Sequence, residues 1–149
     1  MAFTNITLLK RPSDLLIDHY IGNFNNDNAN ITPAGVMPLG TVVFRAKGQS
    51  EAAAWAVVTK TADIATTNEF AVVYGDQYGW KCDFTPKAIK AKLFNAVVIK
   101  RGPVMFKEFY LKQVHGTQLG ASFDILKQLM ADQGMVVLDD VTNFKGELV

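Results

Sequence analysis

Histidine is the residue type that would carry most acid–base or metal chemistry, and this chain has only two. His19 stands beside Asp18, but neighbouring side chains of a helix do not face each other, so the pair is not expected to hold a metal. His115 lies between a predicted strand and the last predicted helix, where we expect a surface-loop histidine. Two histidines leave almost no material for a His-based triad or a zinc site. We therefore predict that the protein is not an enzyme, with no catalytic residue, metal site or cofactor.

The other reactive side chains are also expected to have structural roles. Asp139 and Asp140 follow the last predicted strand, but adjacent carboxylates of an extended chain point to opposite faces and rarely form one cation site. Cys82 follows Lys81, a neighbour that favours the thiolate, yet no histidine is near in sequence. We assign this single cysteine to packing. It excludes an intramolecular disulfide and indicates synthesis in a reducing cytoplasm.

One segment combines aromatic and basic side chains in a way that could bind single-stranded nucleic acid by stacking and charge. Its members are Tyr78, Trp80, Phe84, Lys87, Lys90 and Lys92. However, Asp76 and Asp83 lie in the same segment, and spaced lysines on a short helix usually mark its solvent face. Nucleic-acid binding is therefore not expected, although it remains an alternative.

The composition indicates one folded domain without a strong charge. The chain has 149 residues, of which 49% are hydrophobic and 19% charged, with a net charge of +1. This balance does not indicate nucleic acid or an anionic membrane as a partner. No apolar run reaches the roughly 20 residues that span a bilayer, and the first residues lack the pattern of a signal peptide.

From residue 36 onward the sequence is dominated by strand signals. Runs rich in Val, Phe, Trp and Tyr, separated by short turn-forming segments, predict strands over 40–46, 54–60, 69–74, 95–99, 104–111 and 135–138. Alternation of apolar and polar residues within them is imperfect, which predicts that some strands are buried on both faces. The fold class is therefore mainly β.

Two short helices are predicted among these strands. Thr85 and Pro86 form a favourable start for a helix that runs to residue 94. The second helix, over 122–133, places Phe123, Leu126 and Met130 on one stripe, with Ser122 as its cap and Gly134 as a left-handed end.

Residues 1–35 differ from the rest. A short extended run over 3–9 and a helical turn over 12–20 precede an asparagine-rich stretch, 22–30, whose composition favours turns and resists helix and strand. We interpret 1–35 as an N-terminal arm and 36–149 as the folded domain. The alternative is an N-terminal strand and helix docked on the core and joined by a long loop.

The order of these elements resembles the lambda-type bacteriophage head decoration proteins, which cement virus capsids. The matching segments, spread over about 36–140, are 37–44, 51–58, 95–111, 123–130 and 135–138. In this chain 75–94 resembles an insertion and 141–149 an additional tail. The resemblance implies a small β-barrel or β-tulip-like domain with two short helices and a flexible N-terminal arm.

The resemblance also implies a function. Such proteins are structural virion proteins that bind the outside of the expanded capsid as homotrimers at local three-fold positions and stabilise it against the pressure of packaged DNA. The expected partners are the major capsid protein and other copies of this chain. No contact with a membrane is expected. The expected location is the capsid surface of the virion, after synthesis in the host bacterial cytoplasm. The alternatives are another virion component, such as a head-completion or tail protein, and the nucleic-acid-binding module.

The contact residues implied by the resemblance fall into two groups. In the arm, the side chains available to the capsid are Phe3, Ile6, Leu8 and Leu9, in a segment that would add a strand to capsid elements. In the aromatic segment, the candidate subunit or capsid contacts are Tyr78, Trp80 and Phe84, because aromatic residues are enriched at such surfaces.

Overall fold

The computed structural model describes residues 15–16, 26–34, 37–76 and 92–138. Seven strands and two α-helices lie in these ranges, which confirms the mainly β fold class. In chain order they are β1 (Asn26–Thr32), β2 (Val42–Ala46), β3 (Trp55–Val57), β4 (Asn68–Asp76), β5 (Phe94–Ile99), β6 (Val104–Lys107), α1 (Glu108–Leu119), α2 (Ser122–Ala131) and β7 (Met135–Leu138). A single 3₁₀ turn, Thr61–Asp63, lies between β3 and β4.

The first five strands form a closed barrel in the order β1-β3-β2-β4-β5. The β1–β3 pair is parallel and the other pairs are antiparallel. Closure gives each barrel strand a neighbour on both sides, which removes exposed sheet edges. Strand pairing therefore satisfies backbone hydrogen bonds along the barrel wall, except at the strand ends described below.

The central barrel strands are buried on both faces, as their imperfect alternation predicts. In β4, the side chains from Phe70 to Val73 are all fully buried. Ala71 and Val73 belong to the cluster that also holds Trp55, whereas Phe70 and Val72 belong to a second cluster on the opposite face of the strand. A strand with apolar neighbours on both sides has no reason to alternate.

The remaining elements, β6, α1, α2 and β7, form a second layer, here called the αβ layer (104–138). Strands β6 and β7 pair in parallel, with Val104 opposite Met135 and Lys107 opposite Leu138. Their inner side chains pack in the same cluster as Phe70 of the barrel, together with Leu126 of α2. This shared cluster holds the αβ layer against the barrel.

Strand β1 corrects the prediction that the asparagine-rich stretch resists strand formation. It pairs with β5 from Asn26 to Ile31 and also contacts β3. Ala29 and Ile31 are buried while Asn30 is exposed, so the stretch alternates in the way a barrel wall requires. Pairing on both sides outweighs the weak strand propensity of asparagine, because propensity spans only about 1 kcal/mol.

Helix α1 corrects the prediction of one strand over 104–111. The strand ends at Lys107 and a 12-residue helix begins at Glu108. Its buried side chains include Leu111, His115 and Leu119, which are spaced four residues apart. That stripe is a helical signal, but it is visible only when the histidine is counted as a core residue.

Helix α2 confirms the second predicted helix, with differences at its ends. It spans Ser122–Ala131, and Gly134 adopts the predicted left-handed conformation with φ of 80°. Ser122 does not cap the helix; its hydroxyl lies 3.0 Å from that of Thr61. The first predicted helix lies outside the described residues except at its end, where Phe94 already begins β5.

Parts of the predicted arm belong to the folded domain. Leu15 and Leu16 are fully buried in the large core cluster, and Leu16 forms an antiparallel bridge with Phe106 of β6. Together with β1, these two leucines make most of the described residues before 36 part of the packed structure. The other residues of the predicted arm lie outside the described ranges.

Candidate interaction surface

The contact residues implied by the resemblance all lie outside the described residues. They are Phe3, Ile6, Leu8 and Leu9 of the arm, and Tyr78, Trp80 and Phe84 of the aromatic segment. The same is true of His19, Cys82, Lys87, Lys90, Asp139 and Asp140. Lys92 is described and is exposed. The structure therefore does not test whether the residues of these predicted groups lie together.

The described surface contains an apolar face that the sequence analysis missed. On the outer face of the β6–β7 sheet, Met105 is 43% exposed, Val136 37% and Leu138 40%. Met105 and Val136 are directly opposite in the register, so their side chains lie side by side. Phe109, at the start of α1, is 58% exposed. We call Met105, Val136 and Leu138 the outer sheet face.

A shallow groove runs beside this face, between α2 and β7. One wall is a stripe of α2 residues, and the other is formed by the last strand; the lining residues are Asp124, Lys127, Gln128, Ala131, Val136 and Val137. Within the described chain, β7 pairs only with β6. An edge strand beside a groove of mixed polar and apolar lining is a surface suited to polypeptide contact.

The N-terminal segment joins the same small sheet. Leu16 bridges Phe106, which lies between Met105 and Lys107 on β6. Phe106 already pairs with Val137 of β7, so Leu16 lies on the opposite edge of β6, and the chain there runs antiparallel to β6. The described chain thus meets the β6–β7 sheet near its start, and β7 contains its last described residues.

Gln133 connects this layer to the barrel through backbone hydrogen bonds. Its side-chain amide donates to the carbonyl of Phe70 at 2.8 Å and to that of Lys100 at 3.1 Å, and its oxygen accepts the Phe70 N–H at 2.8 Å. The side chain therefore extends the hydrogen-bond ladder of β4 where no strand neighbour continues. A lone glutamine before a glycine gave no sequence signal for this role.

The two glycines that flank the β6–β7 sheet lie against each other. The Gly102 N–H donates to the carbonyl of Gln133 at 2.9 Å, and the Val104 N–H donates to that of Gly134 at 3.3 Å. A Cβ at Gly102 would lie 1.8 Å from the carbonyl oxygen of Gly134. Only glycine fits at this position, because the obstacle is backbone and cannot rotate away.

Glu108 links the two helices of the αβ layer. Its carboxylate pairs with Lys112 one turn later on α1 and with Lys127 on α2. Burial raises the pKa of Glu108, but the hydrogen bonds and charges of the two lysines outweigh it and hold the pKa below its ordinary value. The ionised carboxylate is thus the form that holds α1 to α2.

The barrel has ion pairs of its own, and the carboxylate partners of Lys100 are partly exposed. Lys100 contacts Asp27 of β1 and Glu51 of the β2–β3 connection. The Lys100 hydrogen bond is the main reason that the pKa of Asp27 is lowered. Burial lowers the pKa of Lys100, but its two carboxylate partners raise it above the ordinary value. Such pairs contribute little to stability when solvent screens them.

His115 corrects a further prediction, because it is not a surface-loop residue. It lies within α1 and is 2% exposed. Its Nε2 accepts the backbone N–H of Val42, the first residue of β2, at 2.8 Å. The ring therefore connects the αβ layer to the barrel.

Neither a cluster of metal ligands nor a membrane-spanning helix is present among the described residues. Among them, histidine, cysteine and carboxylate side chains do not gather in groups of three or more that could hold a metal ion. No helix within the described ranges is long and apolar enough to cross a membrane.

Comparison with known proteins found no matching family model, no matching curated protein and no matching solved structure.

Proposed function

We propose that this protein is a structural virion protein that binds the outside of an expanded phage capsid as a homotrimer and stabilises it against the pressure of packaged DNA. The order of β5, β6, α2 and β7 supports the proposal, since these elements lie in the segments that resemble capsid decoration proteins, with α1 in place of the end of the strand predicted over 104–111. The major capsid protein is the proposed partner, and no chemical step is required.

The outer sheet face is the observation that carries this proposal. Exposed Met105, Val136 and Leu138 lie together on one side of a small sheet, where a protein that remained alone in water would favour polar side chains. Leu16 bridges Phe106 at the edge of the same small sheet, so this sheet also receives a contact from the N-terminal part of the described chain.

Binding to shells tests the proposal directly. Purified protein is mixed with expanded, undecorated shells of its own phage, and co-sedimentation is measured against protein concentration. We expect saturation at a multiple of the three-fold positions, and sedimentation velocity gives the mass of the free protein. Absence of binding at low salt would overturn the proposal. Binding to single-stranded DNA that weakens steeply with salt would instead favour the nucleic-acid alternative.

Substitutions on the outer sheet face localise the contact. Met105→Lys and Val136→Lys place charge on an exposed position, so they are expected to change the free energy of unfolding by less than about 0.5 kcal/mol. We expect each to weaken shell binding at least tenfold. Ile125→Lys is the matched control, because Ile125 is 53% exposed on α2 and lies outside the outer sheet face. Equal weakening by the control would show that the effect is nonspecific.

The position of Leu15 and Leu16 determines how an arm deletion must be designed. Removal of residues 1–35 would take away two buried core leucines and the whole of β1, so loss of binding would only report unfolding. Deletion of residues 1–14 leaves those elements in place. We expect this shorter deletion to abolish shell binding while the circular dichroism spectrum and the unfolding midpoint stay close to those of the full chain.

A further inference from the structure

A hydrogen bond from the Val42 N–H to His115 joins the barrel to the αβ layer. The carbonyl oxygen of Val42 accepts the N–H of Val58, just beyond the end of β3. The N–H and C=O of one strand residue point to the same side, so His115 takes the N–H on the edge of β2 that faces β3. The imidazole thus supplies an acceptor where β3 has ended.

The hydrogen bond requires a neutral ring. Nε2 accepts a hydrogen bond from the Val42 N–H, so the proton of the neutral ring resides on Nδ1. Within the described residues, Nδ1 is buried without a well-formed hydrogen bond, although the backbone of Gly40 lies near the ring. Protonation would put a proton on Nε2, and two donors would then face each other across 2.8 Å.

In the described part of the chain, the more buried carboxylates already have partners of their own. On α1, Glu108 pairs with Lys112, and on α2 Lys127 pairs with Glu108. On β2, Arg45 pairs with Glu69 of β4.

Two further polar side chains lie on the described elements. Asp63, in the 3₁₀ turn, accepts hydrogen bonds from the backbone of Thr59 and Lys60. Tyr110, on α1, packs its ring over Gly40. Among the residues that the structure describes, a cation at His115 would therefore lack a carboxylate partner, a costly arrangement in a protein interior.

We propose that His115 is an acid-sensitive latch between the αβ layer and the barrel, closed while its ring is neutral and opened by protonation at Nε2. In the open state the Val42 N–H loses its acceptor and the charged ring moves toward water, so α1 separates from the edge of β2. The latch is a property of the chain itself and does not depend on the proposed virion function.

The direction of the pH dependence follows from the pKa. Burial is the main cause that lowers the pKa of His115 from 6.5 to about 4, and the Gly40 backbone opposes it weakly. The unfolded chain therefore binds more protons between these values, and stability is complete above pH 6.5 and lost as the pH falls toward 4. Linkage with these values gives about a 20-fold decrease in the folding equilibrium constant between pH 7 and pH 5.

Urea unfolding of the full chain at pH 7 and pH 5 tests the latch. The wild-type protein is expected to show the 20-fold decrease. His115→Gln should show little of it, since an amide oxygen can accept the Val42 N–H and does not titrate. His19→Gln is the matched control and should retain the decrease. The proposal is overturned if the wild type is equally stable at both pH values, or if His115→Gln keeps the full dependence.

Two measurements on the wild-type protein keep the test decisive if the glutamine variant does not fold. Histidine ring NMR at pH 5, with the two rings assigned by comparison with His19→Gln, should show a neutral His115 imidazole in the native state, and titration of the His115 ring near 6.5 would refute the latch. Hydrogen exchange at pH 5 should increase in α1 before it increases in β4. Simultaneous opening of both elements would show global acid unfolding in place of a latch.

Discussion

The barrel and the αβ layer share one apolar cluster but are stabilised in different ways. The barrel closes on itself, so every barrel strand has partners on both sides, and it encloses an apolar cluster of its own that includes Trp55 and Val98. The αβ layer is built on a two-stranded parallel sheet with four residues in each strand, too small to be stable alone. It depends on attachments to the barrel, namely Gln133, His115 and the contact between Gly102 and Gly134.

The outer surfaces of the barrel and of the αβ layer also differ. On the barrel wall, the outward positions of β1 carry asparagines such as Asn28 and Asn30, which solvent accepts readily. On the αβ layer, the outward positions of β6 and β7 carry Met105, Val136 and Leu138. A self-contained barrel with a polar wall suits a scaffold, and a dependent layer with an apolar face suits a binding surface. This difference supports the two proposals that locate the capsid contact and the His115 latch in the αβ layer.

The largest expected effect is at the glycine contact that joins the αβ layer to the barrel. Gly102→Ala places a Cβ 1.8 Å from a backbone oxygen, so we expect a loss of about 3 kcal/mol in the free energy of unfolding. Chemical denaturation measures it. In Gly116→Ala, within α1, the new Cβ meets only Lys112 at 3.4 Å, so this control should gain about 0.5–1 kcal/mol from helix propensity. A neutral Gly102→Ala would contradict the proposed role of the contact.

Gln133→Ala comes next, because it removes three hydrogen bonds to the barrel backbone. We expect a loss of about 2 kcal/mol by the same denaturation assay, since the Phe70 backbone groups lose their partner. Gln128→Ala is the matched control: Gln128 is exposed on α2, and its replacement should change stability by less than about 0.5 kcal/mol. Similar losses in both variants would mean that Gln133 is not a specific attachment.

Glu108→Gln weakens the link between the two helices within the αβ layer. We expect a loss of about 1–2 kcal/mol at pH 7, because the buried carboxylate pairs with two lysines. The lowered pKa of Glu108 means that this stability is present above its ordinary value of 4.5 and is lost as the pH falls through the folded value. The variant should therefore approach the wild type in strong acid, below the range in which His115 acts. A difference that persists unchanged there would contradict the ionic origin.

The smallest effect is expected on the barrel surface. Glu51 contacts Lys100 but is 79% exposed, so Glu51→Gln should change the free energy of unfolding by less than about 0.5 kcal/mol. Thermal or urea unfolding in low salt is the sensitive measurement, because screening is then weakest. A loss as large as that of Glu108→Gln would remove the distinction between the two regions.

Much of the fold could be predicted where local pattern and tertiary environment agree. Strands β2, β4 and β5 were predicted from their Val, Phe and Tyr content, and α2 from a stripe that includes Phe123 and Leu126. Strand β1 could not be predicted, because its asparagines become strand residues only when β3 and β5 pair with them. Helix α1 was missed because His115 occupies a core position on its buried stripe.

The candidate interaction surface was less accessible to sequence reasoning. The run Met135-Val136-Val137-Leu138 is wholly apolar, and nothing in it separates the buried residues from the exposed ones. The structure separates them because the barrel, α1 and α2 cover only one face of the small sheet. The contacts predicted in the arm and the aromatic segment lie outside the described residues and stay predictions.

The sequence by itself determined the fold class, the strong strands, helix α2 and the left-handed glycine that ends its turn, since propensity and periodicity are local properties. Only the tertiary structure decided that the asparagine stretch completes a barrel, that His115 accepts a hydrogen bond from β2, and that Met105, Val136 and Leu138 face outward. These outcomes depend on which segments meet in space, and burial and pairing between distant residues then outweigh local preference.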